Sequence, residues 1–143
     1  MPLLQLIYMS DLVHQDEAKI PAILEEARRN NAKNGITGML LYSRGAFMQV
    51  LEGTPEKVKA TYAAICQDAR HCNIFTLDEL PVSHRHFGAW SMGYRSLTGV
   101  DLQTQPELAA LFEIKPHELS RRVAPGIAHA VLSSFGDGSL AIQ

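Results

Sequence analysis

The sequence predicts an α+β fold: a ferredoxin-like sheet with both helices on one face, followed by a C-terminal helical extension. Apolar runs and amphipathic segments alternate in the order β-α-β-β-α-β-β, which is the ferredoxin-like order with one added strand. Residues typical of helix ends delimit both helical segments. The length of 143 residues suits one domain with a sizeable core.

The first strand and the first helix follow from apolar spacing. Residues 3–9 form an apolar run that is too short for a stable helix, which predicts a buried strand. An apolar stripe at helical spacing follows, and Pro21 is tolerated only in a first turn, so the helix should begin near Ala18. Asn34 and Gly35 favour a left-handed turn that ends this helix.

The second and third strands should form a β-hairpin. Two apolar runs, 36–42 and 46–51, flank the segment Ser43-Arg44-Gly45. A short loop that ends in glycine is typical of hairpins, so we predict a three-residue loop.

The second helix should begin at Thr54, because a capping side chain is followed there by proline at the first helical position. Residues 74–82 and 88–97 are predicted to form the last two strands. The buried stripe of the second helix is predicted to be Val58, Tyr62, Ile65 and Ala69.

The chain divides near residue 97. Residues 1–97 hold the predicted sheet and both helices, whereas 98–143 contain short helical segments separated by prolines. Both faces of the strands at 4–9 and 46–51 are largely apolar, although a sheet covered on one side should alternate apolar and polar residues. Either the C-terminal extension or a second copy of the chain is therefore expected to cover the second face.

Composition and charge limit the function classes. Hydrophobic residues make up 46% and charged residues 20%, as in ordinary globular proteins, and the formal net charge of −2 argues against binding to a phosphate backbone. No basic segment precedes an apolar one at the start, and no apolar run approaches the ~20 residues of a membrane span. Cys66 and Cys72 fit neither a CxxC motif nor a zinc knuckle, so free thiols and a cytoplasmic location are expected.

Polar side chains interrupt two of the apolar strands. Gln49 shares a strand face with Phe47 and Leu51, and Tyr8 lies in the apolar first strand. Taken alone, each is explained as a structural residue whose polar group finds a local partner. If the first and third strands pair, Tyr8 and Gln49 can be neighbours, and a phenol and an amide can satisfy each other's hydrogen bonds.

Asn30 and Asn31 form a third polar site, at the end of the first helix. Asn31 continues the buried stripe because it lies four residues after Ala27. The two side chains either cap the helix or hold a planar heterocycle by its amide edge. Asn31, Tyr8 and Gln49 together would form an uncharged cluster, which suits a neutral ligand such as a flavin ring and suits hydrolysis poorly.

Five segments also carry a family resemblance. They are Leu6-Ile7-Tyr8, Asn30-Asn31 with Gly35-Ile36-Thr37-Gly38, Phe47-Met48-Gln49-Val50-Leu51-Glu52-Gly53, Asp68-Ala69-Arg70-His71 and Trp90-Ser91-Met92. Their order and spacing resemble those of BLUF domains, which are blue-light sensors that use FAD. The resemblance covers about residues 3–97. The chain is most similar to short BLUF proteins, in which a small helical tail and no effector domain follows the sensor.

The resemblance implies a role for each site residue. Tyr8 would be the photochemical donor of an electron and a proton, and Gln49 would lie between Tyr8 and the flavin. Asn31 would hold the carbonyl and imide edge of the ring, with Asn30 beside it. The other implied FAD-binding residues are Ile23 and Ile65, which would sandwich the ring, and Asp68, Arg70 and His71, near its polar edge or the ribityl-phosphate arm.

Trp90 and Met92 are implied to carry the signal outward, and Met92 is also implied to be one of the flavin-binding residues. Their spacing of two places both on one face of the predicted last strand, near Gln49. The expected partners are an unidentified downstream signalling protein and further copies of the chain, as a dimer or a larger ring. Neither a nucleic acid nor a membrane is expected as a partner, and no enzymatic activity is expected.

An acylphosphatase-like hydrolase on the same fold is the alternative function. It needs a phosphate-binding loop, and Ser43-Arg44-Gly45-Ala46 has only a faint likeness to one, which a hairpin also explains. An RNA-binding sheet would display aromatic residues where the middle strands carry Met9 and Met48. His84 and His86 could ligate a metal ion, but no third ligand is evident, and no metal is expected.

Overall fold

A computed structural model describes residues 2–88 and 91–99 and the single residues Gln103 and Phe112. Its elements follow the predicted order. They are β1 (Leu3–Leu12), two 3-10 turns (Val13–Gln15 and Glu17–Lys19), α1 (Ile20–Asn34), β2 (Thr37–Ser43), β3 (Ala46–Gly53), α2 (Pro55–Cys66), β4 (His71–Val82) and β5 (Gly93–Ser96). The predicted α+β class is confirmed. The predicted helical segments of 98–143 lie outside the described residues, apart from four single positions.

The sheet has five strands in the order β4-β1-β3-β2-β5. β1 pairs antiparallel with both β3 and β4, and β2 pairs antiparallel with β3. β5 pairs parallel with β2 at the edge. The predicted pairing of the first and third strands is thus confirmed, and it places Tyr8 directly opposite Gln49.

Both helices pack on the same face of the sheet. Ile20, Ile23 and Leu24 of α1 and Val58 of α2 are buried in one cluster with side chains of the strands. Side chains alternate between the faces of a strand, and the strand residues of this cluster are Leu4, Leu6, Tyr8, Leu12, Leu40, Tyr42, Phe47 and Leu51.

The face without helices is buried as well. Ile7, Met39 and Met48 are all 0% exposed, and they point away from α1 and α2. This burial agrees with the apolar composition of both strand faces. The predicted cover of this face, either the C-terminal extension or a second copy of the chain, stays a prediction.

The ends of α1 and of the β2–β3 hairpin differ slightly from the prediction. α1 begins at Ile20 rather than near Ala18, because a 3-10 turn occupies the preceding residues. It ends before Gly35, whose φ of 68° is the predicted left-handed cap. The hairpin loop has two residues rather than three, since Ser43 pairs with Ala46 and both intervening residues have positive φ.

The second half of the chain requires further corrections. α2 begins at Pro55 as predicted, but the Thr54 side chain makes no capping hydrogen bond. The helix ends at Cys66, so Ala69 is exposed and lies outside it. β4 begins at His71, three residues earlier than predicted. β5 begins at Gly93, because Ser91 and Met92 form bends.

The predicted placement of Trp90 and Met92 on one strand face is therefore wrong for Met92, which precedes β5. Trp90 lies outside the described residues.

Candidate functional site

A cavity of about 380 Å³ lies between α1 and α2, over the centre of the sheet. Leu40 of β2 and Gln49 of β3, which are direct partners in the sheet, form its floor. Its volume falls within the ~300–1,000 Å³ that is typical of small-molecule sites. The predicted site residues that line it are Ile23, Asn30, Gln49, Ile65, Asp68, Arg70 and His71.

The walls of the cavity are apolar and partly made of small side chains. Ile23 of α1 and Ile65 of α2 contribute one branched side chain from each helix. Ala27, Ala60 and Ala64 line the same space, and their methyl groups leave room between the helices. A flat apolar ring system fits between walls of this kind.

Tyr8 lies beside the floor of the cavity, on the helix-facing side of the sheet, and is hydrogen-bonded to Gln49. Its hydroxyl donates to Gln49 Oε1, and its side chain is 0% exposed. Burial raises the pKa of Tyr8 well above 10.0, and the neighbouring Tyr62 adds to this effect. The phenol is therefore protonated near neutral pH, as a hydrogen-bond donor must be.

Gln49 uses the other end of its amide to contact Met92. Gln49 Nε2 lies 3.3 Å from Met92 Sδ, and a thioether sulfur can accept a weak hydrogen bond but has no proton to donate. Met92 is 2% exposed. Tyr8, Gln49 and Met92 thus form a continuous chain of donors and acceptors beside the cavity.

Asn31 and Arg28 of α1 bind the segment that carries Met92. Asn31 Nδ2 donates to Ser91 O at 2.8 Å, and Arg28 Nε donates to Met92 O at 3.0 Å. Asn31 is buried as predicted, with 2% exposure, but it lies beside the cavity rather than in its lining. Asn30 is exposed and lies in the lining.

Charged groups occupy the end of the cavity near the β4 terminus. Arg70 Nη1 lies 2.6 Å from Glu26 Oε2, and Arg70 Nη2 lies 2.6 Å from Asp68 Oδ2. Arg70 therefore connects α1 with the turn that follows α2. Its hydrogen bonds to Asp68 lower the pKa of that carboxyl group below 3.8.

His71 adds a neutral polar group to this end. Burial lowers the pKa of His71 below 6.5, so the ring is uncharged near neutral pH. Its Nδ1 lies 2.9 Å from Ser10 Oγ, a contact that fixes the ring position. The polar end of the cavity thus combines one cation with two carboxylates and one imidazole.

Several residues of the site were missed by the sequence analysis. Leu40 could have been found from strand pairing, since it lies directly opposite Gln49. Lys57, Thr61 and Ala64 recur at helical spacing along α2 and line the cavity, but their mixed polarity gave no apolar stripe. No sequence pattern near Arg28 predicts its role, because the Met92 carbonyl that it binds is distant in the sequence.

A family model described as "BLUF: Sensors of blue-light using FAD" matches residues 3–93. The chain belongs to the BLUF family. Over 91 residues it is 44% identical to the "Blue light- and temperature-regulated antirepressor BluF" of Escherichia coli (strain K12), a match that covers 61% of this chain and 22% of that protein. It is 39% identical over 90 residues to "Photoactivated adenylate cyclase subunit beta" of Euglena longa, covering 62% of this chain and 10% of that protein.

These matches span about a fifth or less of the curated relatives' own length. Solved BLUF structures agree over more of their length. "BlrB - a BLUF protein, dark state structure" superposes with a TM-score of 0.71 at 27% identity, covering 94% of this chain and 97% of that chain. "BlsA ground state" superposes with a TM-score of 0.70 at 30% identity, covering 82% and 83%.

The residues of the cavity fit the flavin that BLUF domains use. Gln49 and Asn30 bring uncharged amide groups to an apolar space, and such groups can pair with the carbonyl and imide edge of a flavin. Arg70 brings a guanidinium group to the polar end of the cavity, where it is paired with Glu26 and Asp68, and a guanidinium group can also bind a phosphate. Donors and apolar walls of this kind suit a flat, neutral ring.

Other predicted features have plain structural accounts. Cys66 and Cys72 are free and exposed. Within residues 2–88 and 91–99, no cluster of three or more His, Cys, Asp or Glu side chains could hold a metal ion. The rings of His84 and His86 pack against each other, with their centroids 4.7 Å apart. The loop considered for a hydrolase is the two-residue hairpin turn, so the hydrolase alternative has no support.

No helix in the described part of the chain has both the length and the apolar character that crossing a membrane requires.

Proposed function

We propose that this chain is a blue-light sensor that binds FAD between α1 and α2 and responds through the hydrogen bonds of Gln49. The observation that supports the proposal most strongly is the chain from Tyr8 through Gln49 to Met92 at the edge of the cavity. It connects a redox-active phenol, a reorientable amide and the segment before β5. FAD rather than FMN is proposed because the family is described as using FAD.

FAD, when bound, supplies the absorption of blue light and an acceptor for one electron and one proton. Ile23 and Ile65, which line the cavity, would enclose the ring from the two helices. Asn30 in the lining and Asn31 beside it would hold its polar edge. Asp68, Arg70 and His71 would bind that edge or the ribityl-phosphate arm.

Tyr8 is proposed as the source of the electron and the proton. Its burial and its raised pKa keep the hydroxyl protonated in darkness, so a proton is available to move along the hydrogen bond to Gln49. When the electron and the proton return to Tyr8, the phenol is restored. Nothing is consumed, and the response is reversible.

Gln49 is proposed as the group that changes state. Its oxygen faces Tyr8 and its nitrogen faces Met92 in this structure. Rotation of the amide would exchange these two ends, and tautomerisation would instead change which end carries the protons. Rotation would present an oxygen to the Met92 sulfur, which cannot donate a proton, so the contact with Met92 would be lost.

Met92 and the strand that follows it are proposed to carry the change outward. β5 is the edge strand beside β2, and the backbone of Met92 is bound by Arg28 of α1. A displacement of Met92 would therefore reach both the sheet edge and α1. The proposed receivers are residues 98–143 and a downstream signalling protein, with further copies of the chain in a dimer or ring.

A light response that can be measured directly tests the proposal. Purified protein incubated separately with FAD and with FMN should retain FAD, turn yellow and shift its absorption slightly to longer wavelength under blue light. The shift should reverse in darkness. A protein that binds neither flavin would contradict the proposal, and retention of FMN alone would correct the cofactor.

A further inference from the structure

Glu52 is a fully buried carboxylate that the proposed light response does not use. It lies on β3 with 0% exposure, on the face opposite to Gln49. Its oxygens accept hydrogen bonds from Gln5 Nε2 at 3.0 Å and from Thr37 Oγ1 at 3.2 Å. Gln5 and Thr37 are its direct partners on the two neighbouring strands.

Two further donors to Glu52 come from outside the strands that flank it. The backbone N–H groups of His86 and Phe87 each lie 2.9 Å from a carboxylate oxygen. Both belong to the segment between β4 and β5, which we call the β4–β5 connector and of which the structure describes residues 83–88 and 91–92. Arg85 of this connector donates to Glu52 O at 3.0 Å and to Thr37 Oγ1 at 2.9 Å.

A buried carboxylate is costly unless donors satisfy it. Each contact to the Glu52 carboxylate is made by a donor, so an ionised group is satisfied at both oxygens. Hydrogen bonds to a charged group are stronger than those between neutral groups. Glu52 therefore binds the first half of the β4–β5 connector tightly to the middle of the sheet.

The second half of the same connector ends at the light-sensing site. Ser91 O accepts from Asn31, Met92 O accepts from Arg28, and Met92 Sδ accepts from Gln49. Glu52 and Gln49 thus lie three residues apart on β3, on opposite faces, and bind opposite ends of one connector.

From this arrangement we propose that Glu52 is a positioning residue for the light response. Its carboxylate holds the start of the β4–β5 connector on β3, and this fixes Met92 against the Gln49 amide. The inference rests on the proposed function, because it assigns the control of that response to a group outside the flavin site.

The physical consequence concerns the return to darkness. In the illuminated state the contact between Gln49 and Met92 is lost, and a firmly held connector keeps Met92 where that contact can form again. Release of the connector weakens this restoring contact, so the illuminated state should decay more slowly. A residue that only stabilised the fold would change the melting temperature without changing this rate.

Three variants of the FAD-loaded full chain separate these roles. Glu52→Gln keeps the volume but places an NH2 group against backbone donors, and Arg85→Met removes the connector's side-chain bonds to Thr37 and Glu52 O. Gln5→Met is the matched control, because it removes a donor to the same carboxylate that lies on β1 and not on the connector. The measurements are the red shift, the dark-recovery rate and the thermal midpoint.

Recovery should be slower in Glu52→Gln and Arg85→Met by about fivefold, equivalent to ~1 kcal/mol of barrier. Gln5→Met should lower the thermal midpoint and recover at the rate of the unaltered protein. Unchanged recovery in Arg85→Met, or an equal change in all three variants, would overturn the inference, and Arg85→Met decides if Glu52→Gln does not fold. Absence of any shift in the unaltered protein would overturn the proposed function and the inference with it.

Discussion

Tyr8 and Gln49 face each other across the antiparallel pair β1 and β3, and the Tyr8 hydroxyl donates to the Gln49 amide oxygen. The contact depends on strand register, because a slip of one residue would turn Gln49 to the opposite face of the sheet. Buried pairs on each face, Leu6 with Leu51 and Ile7 with Val50, pack in that register beside the polar contact.

Replacement of Tyr8 by phenylalanine tests the proposed donor. Tyr8→Phe removes the hydroxyl and keeps the ring that packs 5.1 Å from Tyr62, so the fold and flavin binding should persist. The red shift should be lost, since no phenolic proton remains to move. Light-minus-dark absorption spectra measure this. Tyr62→Phe is the control and should retain the shift; a normal shift in Tyr8→Phe would exclude the assigned role.

Replacement of Met92 by leucine tests the contact that connects Gln49 to β5. Met92→Leu conserves volume and removes the sulfur acceptor, so the expected loss of stability is below ~1.5 kcal/mol. The lifetime of the illuminated state should change, because Gln49 Nε2 loses its partner. Flash illumination followed by absorbance decay measures the lifetime.

Met48→Leu is the control for this substitution, since Met48 is equally buried on the other face of the sheet. Its decay rate should match that of the unaltered protein. Equal lifetimes in Met92→Leu and the unaltered protein would contradict the role of Met92.

A bulky side chain in the cavity tests the location of the flavin. Ala64 lines the cavity, and the adjacent Ala63 does not. Ala64→Trp should fill the space and reduce FAD retention at least ~tenfold, which corresponds to ~1.4 kcal/mol of binding free energy. Ala63→Trp, at an exposed position of the same helix, should bind FAD normally. FAD titration followed by fluorescence quenching measures both, and equal retention would move the site elsewhere.

Protonation of His71 should make the stability of the folded chain depend on pH. Because burial lowers the pKa of His71 in the folded chain, the unfolded chain binds the proton more readily between the folded pKa and the ordinary value near 6.5. The contribution of His71 to the free energy of unfolding should therefore be fully present above pH ~6.5. It should be lost as the pH is lowered towards the pKa of the folded chain. Urea unfolding at a series of pH values measures this dependence.

The stability of the His71→Gln variant should fall less steeply than that of the unaltered protein as the pH is lowered through this window. His84→Gln, which changes an exposed histidine, should keep the original dependence. An unchanged slope in His71→Gln would remove His71 as the cause.

The parts of the fold that could be predicted are those with local or alternating signals. The apolar runs predicted the strands, and Thr54, Pro55 and Gly35 marked helix ends. The element order then implied the pairing of Tyr8 with Gln49, which is confirmed. In each case the information lies in adjacent residues or in the order of the elements.

The position of Met92 could not be predicted in this way. The apolar residues before Gly93 favour a strand, but contacts with Arg28 and Gln49, which are distant in the sequence, hold Met92 in a bend. Burial of Asn31 was predicted from helical spacing, whereas its bond to Ser91 was not. Glu52 gave no signal either, because its donors come from residues on three other segments.

The central claim is that the hydrogen bond between Tyr8 and Gln49 converts light into a reversible change at the flavin site. Its most direct test is the absorption spectrum of FAD-loaded protein in darkness, under blue light and after return to darkness, recorded beside Gln49→Leu. The unaltered protein should shift slightly to longer wavelength and recover, while Gln49→Leu should bind FAD and show no shift. An equal, reversible shift in Gln49→Leu would contradict the account.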